Sequence, residues 1–357
     1  MDRLFRKALK YHLVFTLDYE IHGNGDGDPL QLMIEPTDRL MCLLEKYGQK
    51  VTIMADVAEI LAFKRYFLET GSDDFHVADI ESQLQDALRR GHDVQLHIHS
   101  SWFNSRWDGK RWDQCIDDYN MAALPQERID EMVGKCVDYL QDLLTPIKPD
   151  YKVWLFRAAN WSMMPTENIY LSLLKHGITA DTSVYKGGVQ GGNVSYDYRE
   201  AFSNLLSYPA DKHNINRFDP DNQSATITEY PIYTEMRPFW SFISPIRFYR
   251  MVRAKRHQHK HSSSFNSTTS IEINKADNRH LGIKSFFRSS PWKLDFNQAT
   301  GKQLINAIKR IKKVPIIDRD LVEIILIGHS KSFLHYNEIT LERFLRWISS
   351  DIDIIHN

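Results

Sequence analysis

Short β-rich runs alternate with amphipathic helical stripes along most of this chain, and that alternation limits the fold more than any other feature. LVFTLDY (13–19) is the first β-rich run. After a Gly/Asp/Pro loop, Thr37 and Asp38 precede apolar Leu40, Leu43 and Leu44, and Gly48 closes the stretch, so it carries both the start and the stop signals of a helix. VTIMA (51–55) follows as a strand. Ile80, Leu84, Ala87 and Leu88 share one helical face that ends at Gly91, and HDVQLHIH (92–99) is the next strand. The longest stripe, Ile129, Met132, Val133, Cys136, Val137, Leu140 and Leu144, precedes KVWLFR (152–157). TENIYLSLLKHG with ITADT, QLINAIKRIKK with LVEIILIGH, and the closing helix LERFLRWI complete the series.

Strands separated by helices pair in parallel, as a sheet or a barrel. The expectation is an α/β fold, a distorted (β/α)7–8 barrel over residues 1–357 as one domain, with its site at the C-terminal ends of the strands. A chain of 357 residues, 42% hydrophobic and 12% aromatic, can bury a core of that size. Two stretches interrupt the pattern. Residues 187–240, rich in Asn, Tyr and Pro, read as a loop-rich insertion over the barrel mouth. Residues 257–278 are polar and aperiodic and read as a mobile linker within it, a better account of their three histidines than loose metal binding.

Lysine and arginine number 45 against 46 acidic residues, so no overall field draws the chain to nucleic acid or membrane. The first twenty residues contain no sustained apolar run, so a cytoplasmic location is expected. Cys42, Cys115 and Cys136 fit neither a disulfide framework nor a zinc motif, and read as reduced packing residues.

Chemistry-bearing residues gather where the predicted strands end. Asp18 and Glu20 close the first, and His97 and His99 close the third. Residues two apart on a strand share a face, so each pair presents both groups to one place. Two imidazoles and two carboxylates converging on a barrel mouth suit a divalent metal, zinc first. Any one of these residues alone would read as a satisfied polar side chain. The combination, with an Arg ending another strand and a His ending the last, points to function.

The segments FTLDYE, GHDVQLHIHSSW, FRAANW, ITADTSVYKGG and ILIGHSKSF resemble, in that order over about residues 11–335, the five motifs of the polysaccharide deacetylases, the NodB-homology group akin to carbohydrate esterase family 4. The resemblance implies a hydrolase that removes an acyl group, N-acetyl foremost, from a sugar in surface-polysaccharide synthesis. It implies Glu20, His97 and His99 as metal ligands, Asp18 as the base that takes a proton from water, and Arg157 as the group orienting Asp18. His329 would be the acid that protonates the leaving group, held charged by Asp181. The chain departs from the commonest pattern twice. Tyr19 stands where a second adjacent aspartate is usual, with Glu20 following it. Ser101 stands where the second metal histidine is usual, and His99 falls two after His97. This Leu-His-x-His form matches a subset associated with bacterial surface-polysaccharide clusters.

Trp102, Trp161 and Tyr185 follow these motifs and offer faces for a sugar ring, with ordinary packing as the alternative. Residues 239–256 combine Phe239, Trp240 and Phe242 with Arg247, Arg250, Arg253, Lys255 and Arg256, a surface for an anionic bilayer and a lipid-linked sugar or, alternatively, a solvated helix. That surface would place the protein against the inner face of the membrane. The resemblance implies an acylated sugar substrate, with nucleotide-linked, lipid-linked and polymeric forms all open. Two other functions fit the motifs: a deformylase or other amide hydrolase of the same fold, and a catalytically silent barrel that binds a glycan or a partner.

Overall fold

β1 (Lys10–Tyr19) shows why the chain folds inward where it does. Its side chains alternate between buried and half-buried as far as Val14, and from Phe15 to Tyr19 every one is buried. A strand covered on both faces is the mark of a parallel sheet overlaid by helices. Phe15 meets Phe296 and Phe344 in the outer layer, and the Tyr19 hydroxyl donates to Gln83 Oε1 at 2.7 Å. Thr16 and Asp18, on the opposite face, point into the barrel and both bond Arg157. The computed structural model describes residues 9–220, 226–238, 289–317 and 319–355.

The remaining units repeat this construction. α1 (Glu35–Glu45) leads to β2 (Val51–Asp56), and α2 (Val57–Thr70) with α3 (Val77–Arg89) leads to β3 (Asp93–Ile98). α4 (Gln126–Leu144) precedes β4 (Leu155–Ala158), and α5 (Thr166–Lys175) precedes β5 (Ala180–Asp181). After β6 (Thr228–Glu229), α6 (Gly301–Ile311) precedes β7 (Leu321–His329), and α7 (His335–Ile348) packs behind it. All seven apolar positions of the long stripe are buried on α4. Burying such side chains stabilises the fold by roughly 1.5–3 kcal/mol each.

The main sheet runs Asn214–Phe218, Tyr208–Asp211, β6, β5, β4, β3, β2, β1, β7. Single bridges from Ile232 to Ile325 and from Asp295 to Ile327 join the chain beyond β6 to β7. The same stretch bonds β5 on its other side, through Tyr230 N to Asp181 O and Ile232 N to Val184 O. The sheet therefore curls until its two sides meet, giving the distorted α/β barrel that the alternation predicts.

Residues 187–240 are not solely an insertion over the mouth. Tyr208–Asp211, Asn214–Phe218 and β6 are strands of the main sheet, and Thr234–Pro238 pairs with Ser289–Lys293 in a separate ladder. Runs of two to five residues are too short to show a period, and Tyr208, Ala210, Ile215 and Ile227 are the buried anchors that hold them. Residues 257–278, and all of 239–256, lie outside the described residues. No helix among the described residues is long and apolar enough to cross a membrane.

Register positions the site. Asp18 lies opposite His329 on β7 and opposite Met54 on β2, Asp56 lies opposite His97, and His97 lies opposite Arg157. Neighbouring parallel strands sit roughly 4.8 Å apart. Asp18 and His329 thus share one level at the C-terminal rim, and Asp56, His97 and Arg157 share the next, two residues further along their strands.

Candidate active site

Arg157 anchors this level from within the barrel. It is wholly buried, and its guanidinium donates Nη1 to Asp18 Oδ1 at 2.5 Å, Nη2 to Thr16 Oγ1 at 2.8 Å and Nε to the Thr182 carbonyl at 3.0 Å. Burial pushes the Asp18 carboxyl up, but the charges of Arg157, His329 and His97 outweigh it and hold Asp18 below the usual carboxylate range. Asp18 Oδ2 lies 3.4 Å from His329 Nε2. Burial lowers the His329 pKa against the opposing pull of Asp18 and Glu20.

Beside this pair, ligand atoms of Glu20, His97 and His99 all lie within 4.8 Å of one another, the separation a single metal ion requires. Glu20 Oε2 is 3.2 Å from His99 Nδ1 and 3.8 Å from His97 Nε2. His97 Nδ1 bonds the Arg157 carbonyl oxygen at 2.8 Å, which leaves Nε2 facing Glu20. His99 Nδ1 bonds Asp56 Oδ2 at 2.8 Å, and its main-chain N–H donates to Asp56 Oδ1 at 3.1 Å. Metal-binding imidazoles are commonly oriented by a carbonyl or carboxylate in this manner. Ser101 takes no part: its hydroxyl donates to Gln114 Oε1 at 2.7 Å within the protein. Asp18, Glu20 and His329 form a second, overlapping group of the same compactness.

These side chains open onto a cavity of about 160 Å³, lined among others by Tyr119, Asn160, Trp161 and Lys331. Asn160 and Trp161 both adopt left-handed backbone conformations, with φ of 51° and 65°. Non-glycine residues hold this region at a cost and cluster at functional sites. Here the turn sets Trp161 at the cavity, its ring centre 6.2 Å from that of His329.

Three of the expected site residues are placed elsewhere. The ring of Trp102 is core rather than rim: only 1% exposed, it packs on Phe63 and Trp112 at 5.7 and 5.6 Å. Tyr185 backs Trp161 edge-on at 5.8 Å and bonds the Tyr196 hydroxyl at 2.8 Å, so it supports the rim. Asp181 accepts from the Ser183 hydroxyl at 2.7 Å and from the Ser183 N–H at 3.0 Å. It lies against Glu229, whose carboxyl is pushed up by burial and by the Asp181 charge. The acidic neighbour of His329 is Asp18, with Glu20 and then Asp295 adding their charge.

Two further residues belong to the site. Asp56 ends β2 and orients His99. The Lys331 ammonium bonds Glu20 Oε1 at 2.7 Å and the Ile21 carbonyl at 3.1 Å. Burial pushes the Glu20 carboxyl up, but Lys331 and then His99 bring it well below its ordinary value.

No protein-family model matches the chain, and no curated protein matches it. Among solved structures it is similar to a candidate polysaccharide deacetylase from Mycobacterium smegmatis, at 10% identity and TM-score 0.47, over 99% of this chain and 88% of that one. A family 4 acetyl xylan esterase from Clostridium thermocellum is 13% identical at TM-score 0.29, over 50% of this chain and 60% of that one. A family 4 pseudoenzyme from Bacillus anthracis is 13% identical at TM-score 0.28, over 49% and 44%. At these identities and scores, any assignment of chemistry rests on the site residues themselves.

Proposed function

We propose that the chain is a metal-dependent hydrolase that removes an acyl group, N-acetyl foremost, from a sugar during surface-polysaccharide synthesis. The observation that carries this reading is the meeting, in one cavity, of the Glu20–His97–His99 group with Asp18, clamped by Arg157, and His329. The donor set fits a divalent ion, zinc first: two imidazoles oriented from outside and one ionised carboxylate. Such an ion, when bound, supplies a Lewis acid to the acyl carbonyl and makes water easier to deprotonate.

The chain's own groups then move the protons. Asp18 is ionised at neutral pH and one of its oxygens is occupied by Arg157, so Oδ2 is the oxygen that accepts a proton from attacking water. His329 Nε2, 3.4 Å away, receives that proton and delivers it to the leaving nitrogen as the C–N bond breaks. Water adds hydroxyl to the acyl carbon and its proton leaves on the amine. Trp161 offers the sugar an apolar face beside His329.

The Lys331–Glu20 ion pair favours a second reading, a silent glycan-binding barrel, because the ammonium already occupies one oxygen of the carboxylate. Acid release separates the two. Free, nucleotide-linked and lipid-linked N-acyl sugars are incubated with the protein, and acetate and formate are measured. Asp18→Asn lowers turnover by about a hundredfold to ten-thousandfold with metal retained, and His329→Ala lowers it most for poor leaving amines. Formate in place of acetate makes the enzyme a deformylase. Neither acid from any substrate, with metal bound, refutes the hydrolase.

A further inference from the structure

Lys293 stands at the end of the strand Ser289–Lys293, opposite Thr234. Its ammonium lies 4.0 Å from the centre of the Trp161 ring and 4.4 Å from that of Tyr185. The two rings are set edge to face, 5.8 Å apart, and form a corner around the charge. One wall of that corner, Trp161, also lines the catalytic cavity. Among the described residues no carboxylate pairs with Lys293 and no acceptor takes any of its three N–H donors. π-faces stabilise a cation but accept hydrogen bonds poorly, so the half-buried ammonium keeps its N–H donors available to a ligand. Burial lowers its pKa to about 8, against the charges of Asp295 and Asp18. It therefore remains mostly charged at neutral pH, close enough to Asp18 for the two to feel each other.

We infer that Lys293, in the corner made by Trp161 and Tyr185, is an anion subsite at the edge of the catalytic cavity, and that the acylated substrate is an anionic sugar carrying phosphate or carboxylate oxygens. The placement next to chemistry rests on the hydrolase reading above; the subsite itself does not. A pyranose lying on Trp161 has its acyl end at His329, and an anionic substituent can reach the ammonium across the same ring. An anion there gives these donors charge-assisted hydrogen bonds, among the strongest polar contacts a protein makes. A neutral glycan offers only weaker, uncharged acceptors.

Calorimetric titration of the metal-containing protein with glucose 1-phosphate, glucuronate and glucose tests the subsite without any acyl chemistry. The wild type should bind at least one anionic sugar about tenfold or more tighter than glucose, and added salt should erode the difference. Lys293→Met keeps the apolar stem on the two rings and removes the charge. It should bring the anionic sugars down to the affinity of glucose, with glucose binding and Tm unchanged. Lys293→Arg keeps the charge and should retain the preference. A preference for glucose 1-phosphate alone identifies a sugar phosphate; one for glucuronate alone identifies a uronic acid. Equal binding of all three sugars by the wild type, or a preference that survives in Lys293→Met, overturns the inference. Since none of the ligands is acylated, lack of deacylation alongside an intact preference would refute only the hydrolase reading.

Discussion

Replacing Arg157 by Lys separates charge from geometry at the centre of the barrel. The guanidinium bonds three residues, Asp18, Thr16 and Thr182, from a wholly buried position. An ammonium keeps the charge and can hold one of them. Hydrogen bonds to charged groups are worth about 1.5–3 kcal/mol each, so losing two costs about 3–6 kcal/mol. At about 2.1 cal/mol/K per residue, the melting entropy of this chain is roughly 0.75 kcal/mol/K, so Tm should fall by about 4–8 °C. Turnover should fall by about a hundredfold, because Asp18 loses the fork that aims its second oxygen. Metal content should not change, because His97 bonds the main-chain carbonyl of Arg157, which the substitution retains. Scanning calorimetry, acid release and metal analysis on one preparation read all three. An unchanged Tm with unchanged turnover would refute the role given to Arg157, and loss of metal would show that its side chain serves the ligand group instead.

Metal affinity should rise with pH. Burial lowers the His97 pKa, but Glu20 and Asp18 raise it further, to about 9, and a metal needs the imidazole neutral. Each unit below about 9 therefore costs about tenfold in affinity, measured against a chelator of known strength, and a flat profile would contradict this. Trp102→Ala should destabilise the fold by about 3–5 kcal/mol, read by denaturant unfolding, and leave the KM for any sugar unchanged. Trp161→Ala should do the reverse, raising KM with a smaller effect on stability. Equal effects of the two on KM would return Trp102 to the substrate site.

Most of the barrel was legible because several strands end on chemistry-bearing residues and most long helices carry a stripe, although α2 (Val57–Thr70) and β6 were not read from the sequence. On α4 the seven predicted positions are the seven that are buried. Asp18, Glu20, His97, His99, Arg157 and His329 were legible together because all stand at the C-terminal ends of parallel strands, and the spacing of two puts each pair on one face. The same rule would have found Asp56, had the second strand been extended one residue beyond Ala55. Lys331 follows His329 by two and carries a similar signal.

What stayed hidden depends on contacts distant in sequence. Asp181 ends a strand of only two residues, and its partner Glu229 lies on β6, in a region with no visible period. The turn Ser100–Trp102 directs the Trp102 ring into the cluster around Phe63 and Trp112, and that direction is set by helix packing rather than by the preceding motif. Nothing in the sequence near Lys293 shows that it will lie over Trp161.

Elemental analysis of purified protein and its variants tests the central claim most directly. The wild type should carry about one divalent ion per chain. His97→Ala and His99→Ala should lose it, while Asp18→Asn and Ser101→Ala keep it, since the Ser101 hydroxyl is committed to Gln114. Full metal content in both histidine variants, or its loss in Ser101→Ala alone, would contradict the assignment of Glu20, His97 and His99 as the metal centre.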